Sequence, residues 1–214
     1  MLASQSAECL DNVRDVDLKE WYWATLRRVR EYNRLANIAE IARRYFAMNA
    51  FDGVLTIIGV LMGNLAAQVK EPQIVVSTGL ATCIAMGVSG LWGAYLTEAA
   101  ERQRDLIELN RYTLTDLDDT RIGRASRAAV VAVAVVDGLS PFLAALLVLI
   151  PFFGVALFPT ITWAYYTSLG VALLTLFGLG VFLGHTSRGS VVLYGAKTVV
   201  AGIVSILISI LLGV

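Results

Sequence analysis

Histidine occurs once and cysteine twice in the 214 residues, so the side chains that build zinc knuckles and redox centres are scarce. The two cysteines, Cys9 in the polar N-terminal stretch and Cys83 inside an apolar run, offer no disulfide framework and no CxxC pair. The single histidine, His185, closes the fourth apolar run, where an interfacial position suits it better than a metal site. There is no glycine-rich phosphate loop and no Ser/His/Asp nucleophile set, so the chain is not expected to be an enzyme or to hold a bound cofactor. Charged residues make up only 16% and cancel to a formal net charge of zero, which points to neither a nucleic-acid partner nor an acidic substrate. The first apolar run starts after about 45 polar and amphipathic residues, which is not the layout of a cleaved signal peptide, and no targeting segment is expected.

What the chain has in abundance is apolar surface: 57% hydrophobic residues and a mean hydropathy of +0.69. That balance predicts an all-α polytopic membrane protein embedded in a lipid bilayer. Five runs are long enough to span, at 46–69, 74–97, 128–153, 161–184 and 190–212. Residues 1–45 form an N-terminal tail and amphipathic helix, 46–97 the first two spans, 98–127 a short acidic helix and loop, and 128–214 the last three spans. Lys and Arg concentrate before the first span, between the second and third (Arg102, Arg104, Arg111, Arg121, Arg124, Arg127), and near the fourth loop (Arg188, Lys197). The positive-inside rule then sets the N-terminus in the cytoplasm and the C-terminus outside.

From Asp17, a plausible N-cap, to Arg44, apolar residues recur at near-helical spacing with Arg27, Arg28, Arg30 and Arg34 between them. The helix lies either in the membrane interface, with Trp21-Tyr22-Trp23 at headgroup level, or on the cytoplasmic face of the bundle. Gly59-x-x-x-Gly63 and Gly180-x-x-x-Gly184, with Gly87, Gly90 and Gly93, predict close backbone approach between helices. Pro141 has no N–H for the carbonyl of Asp137, so a kink or break is expected in the third span.

Asp52 and Asp137 stand inside these apolar runs, eight residues after Arg44 and ten after Arg127. At a rise of 1.5 Å per residue that is roughly 12 to 15 Å into a hydrocarbon core of about 30 Å, close to the midplane. A carboxylate there costs at least about 2.5 kcal/mol on insertion scales, which makes each a functional candidate. Both spans run the same way, so the two lie at similar depth and are placed to share one cavity. Met48, one turn before Asp52, Asn49 and Met86 complete a candidate path in which carboxylate and thioether suit a borderline divalent ion such as Fe²⁺ or Mn²⁺. Ordinary packing is the competing reading for the methionines, and capping or a bond to Ser140 for Asp137. Beyond the second span, Glu98, Glu101, Asp105 and Glu108 share one helical face. They either gather cations at a pore mouth or form a solvated face paired to Arg102, Arg104 and Arg111. Lys197 either snorkels to the cytoplasmic interface or reaches toward a carboxylate.

The run Asp52-Gly53-Val54-Leu55-Thr56-Ile57-Ile58-Gly59-Val60 resembles the first-span signature of the vacuolar iron transporter family. Gly93-Ala94-Tyr95-Leu96-Thr97 before Glu101-Arg102, and the stretch 145–153, are similar to its second- and third-span motifs. The resemblance implies a homodimer that moves Fe²⁺ or Mn²⁺ out of the cytoplasm in exchange for protons, along a path between the first spans lined by Asp52. Aligned this way, the family's second-span methionine falls at Gly90 and its glutamate at Ala94, with Met86 one turn farther outward. The segment 98–127 is much shorter than the multi-helix metal-binding domain of plant members, and the resemblance does not extend to Asp137. The compact chain is expected in a prokaryotic plasma membrane. Two other classes stay open: a membrane interaction module without transport, and a proton or monovalent-cation channel.

Overall fold

The computed structural model describes residues 38–187 and 189–213. Among them are five helices long and apolar enough to cross a membrane: α1 Ile38–Ala66, α2 Pro72–Thr113, α3 Arg121–Phe153, α4 Ile161–Thr186 and α5 Val191–Leu212. Among the described residues there are no strands, and the chain is an integral multi-pass membrane protein of all-α class. The amphipathic helix expected over 17–44 lies outside the described residues up to position 37, as do Cys9 and Arg188. Its last seven residues form the first turns of α1.

Local signals set the helix ends. Pro72 opens α2, where its missing N–H costs nothing, after a tight connection through Gln68 at φ 55°. The Thr120 hydroxyl caps α3 by accepting from the Ile122 N–H. Leu114 closes α2 in a left-handed conformation at φ 52°. The 42-residue α2 runs without interruption past the second span, so the acidic segment 98–113 is a direct helical extension of it.

Close contacts fix the directions. Ideal Cβ atoms on Gly79, Gly87 and Gly90 of α2 would meet Leu149, Phe142 and Asp137 of α3, so these helices run antiparallel. Ser168 of α4 donates to the Val148 carbonyl at 2.8 Å, and Tyr165 packs edge-on against Phe152, which makes α3 and α4 antiparallel too. Gly180 and Gly184 of α4 approach residues 191–198 of α5 in the same sense. Helices α1 and α3 instead run parallel, because Asn49 meets Asp137 and Gly53 meets Pro141 one turn farther along each. The result is a simple up-and-down bundle whose core lies between α1, α3 and α4, where Ile57, Ile58, Leu61, Leu149, Tyr165 and Leu176 are fully buried. In contrast, α5 buries only Gly195 and Gly202, and large apolar side chains of α2 and α5 face outward, as suits lipid contact.

The break expected at Pro141 does not occur: α3 is continuous from Arg121 to Phe153. Its neighbours absorb the proline. Gly53 gives α1 room to lie against the Pro141 backbone, and Ser140 donates its hydroxyl to the Val136 carbonyl, not to Asp137. A transmembrane proline is tolerated where adjacent helices and hydroxyl side chains fill the space and satisfy the freed groups.

Candidate metal path and buried carboxylate

The parallel register of α1 and α3 places the two membrane aspartates within one helical turn of each other in depth. Asn49 is level with Asp137, and Asp52 follows Asn49 by three residues, about 4.5 Å along the axis. Their faces differ. Asp137 is buried at 8% exposure, whereas Asp52 is exposed on the outer surface of the protomer. Among the described residues the two carboxylates therefore face different surroundings.

Asp137 sits at the meeting of three helices. The Asn49 amide donates to its Oδ1 and also to the Tyr45 carbonyl one turn back, at 2.9 Å. From α2, Gly90 leaves the space that the carboxylate occupies, since a Cβ there would lie 3.2 Å from Oδ2. A larger residue at position 90 would compete with the Asp137 carboxylate for that volume. Toward the basic end, the Tyr45 hydroxyl donates to Glu98 Oε1 at 3.3 Å, and Arg102 Nε donates to Glu98 Oε2 at 3.0 Å. A polar column of Asn49, Asp137, Tyr45, Glu98 and Arg102 thus tracks the α1/α2/α3 junction. Sequence does not reveal Tyr45 and Gly90 as members of this cluster, because their partners Glu98 and Asp137 lie on other helices, 53 and 47 positions away. The local signs are the four-residue steps from Tyr45 to Asn49 and from Glu98 to Arg102, the second already expected as a pair.

Asp52 is different in every respect. Among the described residues no hydrogen bond or ion pair reaches its carboxylate. Met48, one turn earlier, is 61% exposed on the same face. About two and three turns farther along this face come Gly59 and Gly63, where a Cβ would meet nothing within 4 Å among the described residues. Among the described residues nothing packs on the GxxxG motif of α1, unlike that of α4, which is consumed by α5.

The remaining candidates are dispersed. Met86 is half-buried and packs against the core. Of the acidic stripe, Glu98 is partly buried and ion-paired to Arg102, while Glu101, Asp105 and Glu108 are exposed. Among the described residues no group of three or more His, Cys, Asp or Glu is arranged to hold a metal ion. Lys197 lies with its ammonium 5.5 Å from the Tyr194 ring centre, directed one turn toward the start of α5, as snorkelling predicts.

A family model described as the VIT family matches residues 44–121. That stretch holds Met48, Asn49, Asp52, Met86 and the four acidic stripe residues, and Asp137 lies beyond it. An uncharacterized protein of Methanocaldococcus jannaschii is 31% identical over 172 residues, which cover 79% of this chain and 86% of that protein. The signature around Asp52, the five spanning helices and these two matches agree, and the chain belongs to the vacuolar iron transporter (VIT) family of metal-ion transporters.

Proposed function

We propose that the chain exports Fe²⁺ or Mn²⁺ from the cytoplasm by exchange with protons, as a homodimer whose first helices face each other. The observation that carries this reading is the outward stripe of α1: Met48, an unpartnered Asp52, and Gly59 and Gly63 with nothing packed on them. A bare carboxylate facing lipid near the midplane is costly, and small residues on the same stripe permit a second helix to come close. Two-fold symmetry would bring two carboxylates and two thioethers to one axis, a donor set suited to borderline divalent ions. A cation arriving at such carboxylates displaces protons, and returning protons help release it, which is the physical basis of exchange.

In this reading Asp52 and Met48 line the path. Asn49 and Asp137 hold α1 in register on α3, Met86 supports α2 from within, and Glu101, Asp105 and Glu108 attract cations to the mouth. The membrane is a prokaryotic plasma membrane, with the N-terminus inside and the C-terminus outside.

The deciding experiment is flux of Fe²⁺ and of Mn²⁺ into proteoliposomes that contain an internal pH dye. Metal uptake with opposite proton movement is expected, lost in Asp52→Asn and reduced but retained in Asp137→Asn. Well-folded protein that moves no divalent ion under a proton gradient would sink the transport reading and favour an interaction module; current without divalent ions would favour a channel.

A further inference from the structure

A groove of about 800 Å³ opens between α1, α4 and α5 at the end of the bundle that carries Arg43 and Arg44. It is graded along the membrane normal. Its mouth holds Arg43, Arg44 and Glu40, its middle Tyr194 and Thr198, and its floor is made by Phe51, Leu179 and Phe182. From Arg43 to Phe51 the lining of α1 descends eight residues, about 12 Å, from headgroup level into the hydrocarbon. The depth and volume fall in the range of sites that bury most of a small amphiphile.

Charge decides the occupant. Among the described residues no carboxylate lies within ion-pair distance of either guanidinium, although Glu40 is one turn away; Arg44 only leans on the Tyr45 ring, 5.8 Å from its centre. Two unpaired guanidiniums against one carboxylate leave the mouth net positive. Guanidinium geometry matches phosphate, and basic pockets between spans on the cytoplasmic side suit anionic headgroups. A free phosphate ion would use the mouth but leave the apolar floor, sunk to acyl-chain depth, unfilled.

We propose that this groove is a binding site for one anionic phospholipid per protomer, its phosphate on Arg43 and Arg44 and an acyl chain along Phe51, Leu179 and Phe182. The site is independent of the transport reading, since it requires only that the bundle be embedded in a bilayer. Met48 borders both the groove and the outward stripe of α1, so the lipid would sit beside the Asp52 face.

The test compares wild type, Arg43→Gln/Arg44→Gln and Ala47→Trp, the last of which fills the groove without changing its charge. Native mass spectrometry from detergent and melting temperature are read with added phosphatidylglycerol or phosphatidylcholine. Wild type should retain one phosphatidylglycerol per protomer and melt higher with it than with phosphatidylcholine; both variants should lose at least tenfold in retention. Equal retention of the two lipids by wild type overturns the proposal. So does loss in the arginine variant alone, which would mark a surface charge effect without a groove. If the first 37 residues of the chain fill the groove instead, phosphatidylglycerol will leave wild type unshifted while Ala47→Trp lowers its melting point, and the proposal fails.

Discussion

Removing the Asn49 amide should destabilise the bundle more than the loss of one hydrogen bond suggests, because it strands a carboxyl group at 8% exposure. Interhelical hydrogen bonds inside membranes average about 0.6 kcal/mol and reach about 1.7, because the unfolded chain in the bilayer also finds partners. Leaving one partner buried and unsatisfied is worse, on the order of 1–3 kcal/mol. Asn49→Leu therefore leaves Asp137 with no side-chain donor from α1, and Asp137→Leu leaves the amide with only the Tyr45 carbonyl. Each single change is expected to cost roughly 1–3 kcal/mol. The double change removes both polar ends and replaces them with apolar groups of similar size, so it should cost little more than the worse single one. The coupling, about 1 kcal/mol or more, is measurable by reversible unfolding of the four proteins in bicelles. Additivity to within about 0.5 kcal/mol would show that the contact contributes nothing, and the polar column would lose its place as the brace between α1 and α3.

Gly53→Ala tests the α1/α3 crossing, since the added Cβ would stand 2.6 Å from both Cα and O of Pro141, backbone atoms that cannot swing away. A loss of about 1–3 kcal/mol is expected in the same unfolding assay, and an unchanged midpoint would mean that the helices part without cost. Gly59→Leu/Gly63→Leu probes the outward stripe instead: with nothing within 4 Å of either position, protomer stability should hold. On the proposed dimer, however, that variant should shift to a monomer in light-scattering measurements and lose flux, and a dimer that persists would move the interface elsewhere.

The five spans and their order were legible because hydropathy and helical length speak directly, and the extension of α2 followed from the unbroken periodicity of residues 98–113. At Pro141 only the break fails to occur, and the reason is one that a single segment of sequence does not hold. The rule that proline breaks a helix concerns one chain in water, and here Gly53, 88 residues earlier, leaves room for the Pro141 backbone while α3 runs on unbroken. Of the glycines expected at close approach, Gly87 and Gly90 meet α3 and Gly180 and Gly184 meet α5, whereas Gly59, Gly63 and Gly93 meet nothing within 4 Å among the described residues, and sequence does not tell the two sets apart. The Glu98–Arg102 pair is readable as an i,i+4 step, but the Tyr45 hydroxyl that joins it to α1 is not, because that contact forms only once the helices are packed.

Asp52 and Asp137 look alike in sequence, each followed by glycine at equal depth, yet helical geometry gives them opposite surroundings. Gly53 faces α3 because it must lie on Pro141, and Asn49, four residues before it, shares that face and meets Asp137. Asp52 precedes Gly53 by one residue and is therefore turned about 100° away from α3. One step along the helix thus separates a carboxyl group satisfied by its own protomer from one that the protomer leaves bare. A bare membrane carboxylate is sustained by something beyond the fold that carries it: a facing subunit, a water-filled path, or the cation itself. The proposed division of roles rests on that asymmetry: Asp137 is bonded to α1 and packed against α2, whereas Asp52 is the carboxylate that the described residues leave open to a ligand.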